Sequence, residues 1–227
     1  MAITLYELAG ADPDLRFSPY CWRTRWALAH KDIAVDGIPW RFTDKAVLEF
    51  SGQGKVPVIV DGAKTVSDSW AIAEYLEERY SDHPPLFPNG PAHARFINAW
   101  VDGVVQPGIG RLIVSDVYEV LAPKDQPYFR ETREKFFGQT LAEVTAGREE
   151  RVIEWRRCLL PLRTILRSQS WIGGDSPDYA DYILAGTLQW ARCTSRFELL
   201  EPDDSAAEWF GRVLDLYDGL GRHALTV

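Results

Sequence analysis

The 227-residue chain predicts a two-part fold, an α/β unit over residues 1–81 followed by an all-helical unit over residues 92–227. Three observations predict it. Strand-like and helix-like runs alternate in the first third, helical runs alone fill the rest, and a proline-rich string divides them. That string is "SDHPPLFPNGP" (81–91), with four prolines and a glycine in eleven residues. Such a stretch can neither continue a helix nor pair inside a sheet, so residues 82–91 read as a linker.

The elements follow in order. "ITLYEL" (3–8) is an apolar, β-rich run. From Ser18 the spacing of Trp22, Trp26 and Ala29 puts them on one helical face. Ser18 suits the N-cap, and Pro19 suits the first helical position, where a missing N–H costs nothing. "DIAVDGIPW" (32–40) predicts a second strand, and residues 41–55 carry weak helical character. "VPVIVDGAKTVSDS" (56–69) reads as two short strands joined across Asp61 and Gly62. A helix then runs from about Ser69 to Tyr80, with Ile72, Tyr75, Leu76 and Tyr80 on its buried stripe. This order is compatible with a four-stranded mixed sheet of thioredoxin-like layout. Beyond the linker, "ARFINAWVDGVV", "YFRETREKFFGQTLAEV", "REERVIEWRRCLLPLRTIL", "DYADYILAGTLQWARC" and "AAEWFGRVLDLYDGL" read as amphipathic helices. Prolines at 107, 123, 127, 161, 177 and 202 punctuate them, and Pro161 either kinks one helix or separates two.

Composition excludes several classes. Apolar residues at 46% and nine tryptophans indicate a packed globular protein. The net charge of −8 is spread along the chain with no basic stripe, which argues against nucleic acid. "MAITLYELAG" lacks the charged start and apolar core of a signal peptide, and no run is long enough to span a bilayer. Cys21, Cys158 and Cys193 are odd in number and far apart, which argues for a reducing, cytoplasmic setting. The four histidines show no metal-ligand spacing and no CxxC pair is present, so no metal site is expected.

The chemistry concentrates at three places. "FSPYCW" (17–22) has the frame of the "CPYC" motif of glutaredoxins, with Ser18 in the place of the attacking cysteine. A hydroxyl at a helix N-terminus is too weak an acid to be a resting anion, but it can donate to a thiolate brought by a ligand. "GKVPVI" (54–59) places Pro57 at the start of a strand; a cis Val56–Pro57 bond would turn the Val56 backbone toward an extended peptide, with Lys55 near a ligand carboxylate. In "VSDSWAI" (66–72), Asp68 and Ser69 open a helix and can grip a zwitterionic amino-acid end. Each feature alone is also a plain cap or an edge proline. Together they describe a pocket for a γ-glutamyl tripeptide with its thiol at Ser18.

On these residues the chain resembles the glutathione transferases. Within that family "SPYCWRTRWAL", "KVPVIVD", "DSWAIAEYLEERY", "AGREER", "WIGGDSPDYADY" and "DLYDGLGRH" are most similar to bacterial β-etherases and fungal etherase-like transferases. The chain ends at Val227, soon after "DGLGRH", where those etherases continue with a longer tail. The resemblance implies glutathione as co-substrate, bound by Lys55, Val56, Pro57, Asp68 and Ser69, with Ser18 stabilising its thiolate against an aromatic electrophile. It also implies a homodimer and a structural capping box in "DYAD" (178–181). Trp100, Ile109, Leu112 and Tyr118 are the expected walls of the electrophile pocket, although such stripes also suit a core. Two alternatives stand beside this reading: a thiol reductase or lyase using Cys21, and a non-catalytic binder of hydrophobic ligands.

Overall fold

The computed structural model describes residues 2–227. The N-terminal unit contains β1 (Ile3–Leu8), α1 (Pro19–His30), β2 (Val35–Trp40), a 3-10 turn (Lys45–Ser51), β3 (Val58–Asp61), β4 (Lys64–Ser67) and α2 (Ser69–Arg79). The sheet order is β2-β1-β3-β4, with β2 parallel to β1 and the β3–β4 hairpin antiparallel. This is the thioredoxin-like arrangement predicted above, and the weakly helical stretch resolves into the 3-10 turn. Ile3 and Leu5 face the core, where helix α1 covers them with Trp22, Trp26 and Leu28.

The helical unit contains α3 (Ala92–Trp100), a π turn (Val101–Val105), α4 (Gln106–Glu119), α5 (Gln126–Phe137), α6 (Leu141–Thr145), α7 (Arg148–Arg157), α8 (Leu160–Ile165), α9 (Tyr179–Thr194) and α10 (Ser205–Gly219). One helix expected as a single run is divided, and the alternative left open at Pro161 is decided. Gly138 closes α5 at a φ of 68°, and Thr140 opens α6 with a capping box. Pro161 separates α7 from α8, sitting in the first turn of the second helix. Pro107, in contrast, stops nothing. The π turn absorbs the missing donor, and the chain continues as α4 through residues that had no predicted helix of their own.

The two units share one core. Helix α9 is buried along nearly its whole length and packs against α1, with Gly186 close beneath the Pro19 carbonyl. The linker is pinned too: Leu86 is buried, its N–H donates to Glu77, and its carbonyl accepts from the Tyr179 N–H. Asp178 and Asp181 form the reciprocal cap of α9, and the Asp181 carboxylate also accepts from Ile172, Gly173 and the Trp209 indole.

Candidate functional site

Sheet register brings the three predicted segments to one end. Tyr6 pairs with Val58, and Val58 with Ser67, so the close of β1, the start of β3 and the close of β4 lie side by side. Ser18 follows β1, Val56 and Pro57 precede β3, and Asp68 follows β4. The Asp68 N–H donates to the Pro57 carbonyl at 3.3 Å, which ties the last two together.

Ser18 is the N-cap of α1, in extended backbone (φ −61°, ψ 128°), and is 4% exposed. Its oxygen accepts from the Cys21 N–H at 3.3 Å, which leaves its own proton for another acceptor. No acidic side chain occupies the first turn of α1, so the positive end of the helix dipole stays uncompensated there. Cys21 is buried inside the same turn. Burial, with the Glu7 carboxylate adding to it, pushes its thiol up to about 12, so the sulfur stays protonated near neutral pH.

The Val56–Pro57 bond is cis, and neither the N–H nor the C=O of Val56 is hydrogen-bonded among the described residues. Lys55 is exposed beside it. Asp68 caps α2 from the unusual φ of 77°, its Oδ1 accepting from the Trp70 and Ala71 N–H groups at 2.9 and 3.1 Å. Its second oxygen is left for a cation. Ser69 is buried, and its carbonyl accepts from the Tyr179 hydroxyl at 2.7 Å. A serine hydroxyl, a free peptide edge and a carboxylate on a helix start can therefore hold a thiolate, an extended backbone and an ammonium in one row.

The expected aromatic walls fare differently. Ile109 and Leu112 lie in the hydrophobic core, 0% and 2% exposed, and offer no surface to a cleft. The core reading holds for them because that face of α4 meets the bundle interior. Trp100 and Tyr118 are half-buried. Tyr118 sits near the end of α4, where the Val120 carbonyl accepts from Ala11 in the loop before Ser18. A separate cavity of about 730 Å³ opens beside Asp116, Arg148, Ser195 and Phe197 and is lined by none of the predicted site residues. Arg148 in its wall is engaged internally, in the pair with Asp116 at 2.5 Å and the stack on Phe197. Among the described residues no group of three or more His, Cys, Asp or Glu side chains is placed to hold a metal ion.

A polar network missing from the sequence prediction borders the site. Arg23, 1% exposed, donates to Asn98 Oδ1 at 2.9 Å, to Asp102 at 2.7 Å and to Thr187 at 3.3 Å. Gln106 donates to the Tyr20 hydroxyl at 3.0 Å. The spacing of Asn98, Asp102 and Gln106 is the signal that could have found it. Steps of four drift around an ordinary helix but stay on one face through a wider π turn.

Comparison with known proteins decides the family. Residues 17–79 match the family described as glutathione S-transferase, N-terminal domain, and residues 92–214 match glutathione S-transferase, C-terminal domain. The chain belongs to the glutathione S-transferase family. A glutathione transferase of Phanerochaete chrysosporium superposes with a TM-score of 0.84 at 26% identity, over 93% of this chain and 96% of that one. A transferase of Ceriporiopsis subvermispora, solved in complex with glutathione, gives a TM-score of 0.78 at 25% identity, over 96% and 97%. Among curated proteins, a glutathione S-transferase-like protein of Aspergillus flavus is 30% identical over 145 residues. That match covers 58% of this chain and about half of the relative, 51%. A glutathione S-transferase of Arabidopsis thaliana is 27% identical over 79% of this chain and 72% of its own length.

Proposed function

We propose that this transferase binds glutathione along Val56, Asp68 and Ser69 and holds its sulfur, as thiolate, against the Ser18 hydroxyl. The carrying observation is Ser18 itself, whose oxygen accepts from the Cys21 N–H and whose hydroxyl, within reach of the Cys21 sulfur, donates to no protein oxygen or nitrogen among the described residues. Glutathione supplies the nucleophilic sulfur; the protein lowers the cost of ionising it. Ser18 donates a hydrogen bond, the α1 dipole favours the negative charge, and Lys55 adds a cation near the glycyl carboxylate. The etherase likeness points to an aromatic electrophile, an aryl ether of the β-linked kind. A carbon–sulfur bond then forms, the ether carbon–oxygen bond breaks, and its electron pair leaves on a phenolate. Half-buried Trp100 and Tyr118 are the side chains offered to that ring. The same family resemblance supports a homodimer, and the odd, widely spaced cysteines support a cytoplasmic setting.

The raised Cys21 thiol weighs against a reductase that attacks through this residue, because the thiolate is the reactive form. Kinetics with glutathione and a β-aryl ether bearing a chromogenic phenol tests the reading. Ser18→Ala should lower kcat/KM by about 10²–10³, as removal of one preorganised donor does, while Cys21→Ala stays active. An active Ser18→Ala beside an inactive Cys21→Ala sinks this proposal. Glutathione uptake without turnover on any electrophile transfers the protein to the ligand carriers.

A further inference from the structure

The Tyr20 phenol takes no part in the scheme above, yet the structure prepares it as a donor. Gln106 fixes the direction. Its Oε1 lies 3.4 Å from the Arg23 guanidinium, which can only donate, so the amide NH₂ must face Tyr20. The phenol oxygen is thereby the acceptor of that bond. Its own proton has no acceptor among the described residues. The ring is held as well, since the Arg23 guanidinium lies 4.6 Å from its centroid.

The surroundings say what this proton faces. Asp68 and Asp102 both bear on the Tyr20 phenol, and burial together with Asp102 raises its pKa, so the group stays protonated. The terminal nitrogens of Arg23 are taken by Asn98, Asp102, Thr187 and Gln106, and its Nε, though unpartnered, is fully buried. Arg23 is therefore not free to bind an incoming carboxylate, even though it is the nearest buried cation. Asp102 is itself taken by Arg23 and Asn98, which leaves the second Asp68 oxygen and one unclaimed hydroxyl. That pair suits a zwitterion, with its ammonium toward Asp68 and its carboxylate toward a neutral donor.

We infer that Tyr20 is a specificity-determining residue that reads the α-carboxylate of the γ-glutamyl end, with Gln106 as the positioning residue that aims its hydroxyl. This rests on the glutathione reading above. The conclusion adds a donor from α1 to a grip otherwise built on α2, and it makes the helical domain, through Gln106, part of ligand selection.

Calorimetric titration tests it with two ligands, glutathione and an analogue in which γ-aminobutyrate replaces the γ-glutamyl residue and so lacks only that carboxylate. Tyr20→Phe should weaken glutathione by about 10- to 100-fold, the range of one hydrogen bond to a charged group, and leave the analogue's affinity unchanged. In turnover the loss should fall on KM for glutathione and not on kcat. Equal weakening of both ligands, or unaltered glutathione affinity, overturns the inference. Analogue binding by the variant also reports that the site has folded. Failure of the wild-type protein to bind glutathione at all is a different result, and it removes the underlying functional reading.

Discussion

At the scale of single residues, the environment and not the residue type decides what each group can do. Ser18 and Cys21 sit in one helical turn, yet the hydroxyl donates to no protein oxygen or nitrogen among the described residues, while the thiol is pushed up to about 12 by burial. His30 shows the same logic away from the site. Its Nδ1 lies 2.7 Å from the Tyr182 hydroxyl and 3.1 Å from that of Tyr217, and its other nitrogen faces the Pro85 carbonyl. Burial lowers its pKa; Lys31 acts in the same direction, and Glu77 and the Pro85 carbonyl oppose it. The sign follows: below about pH 6.5 the unfolded chain binds a proton that the folded His30 resists, so stability is complete above that pH and falls as pH drops. Thermal melts from pH 8 to pH 5 should show this loss, and His30→Gln should flatten part of it. Identical slopes would remove His30 from the account.

At the scale of elements, capping decides where helices begin and a π turn decides where one does not end. The α9 start is the most heavily bonded, because the Asp181 carboxylate serves four N–H donors at 0% exposure. Asp181→Ala strands those donors and should cost about 3 kcal/mol. For a protein of this size that corresponds to a fall in Tm of about 6–12 °C. Glutathione affinity just below the new transition should stay close to wild type, since the cap lies outside the ligand row. Loss of binding in a fully folded variant would contradict that separation. The π turn at 101–105 matters differently. It keeps Asn98, Asp102 and Gln106 on the face that meets Arg23 and Tyr20.

At the scale of the molecule, the two units behave as one packed body along the α1–α9 seam. Gly186 lets the helices approach: a Cβ there would lie 2.5 Å from the Pro19 carbonyl and 3.0 Å from Arg23 Cγ. Gly186→Ala must therefore displace the first turn of α1, which carries Ser18. The expected cost is about 1–3 kcal/mol from overpacking, with a fall in kcat/KM although residue 186 touches no ligand. Melting and kinetics on the same sample check both. Lower stability with unchanged kcat/KM would show that the start of α1 is insulated from its seam.

By itself the sequence determined what is carried by neighbours along the chain. The two units, their strand and helix order, the Ser18 and Asp178 caps, and the proline-rich divide are all written in spans of a few residues. So was the chemical character of the three site segments, because hydroxyl, peptide edge and carboxylate are properties of short strings. The tertiary structure decided what depends on distant partners. Sheet order β2-β1-β3-β4 set Ser18, Val56 and Asp68 in one row. Packing consigned Ile109 and Leu112 to the core, and it joined Tyr20 to Gln106 across 86 positions. A local pattern reports which face of a helix is apolar; it cannot report what that face meets, because contact energies arise only when remote segments are brought together.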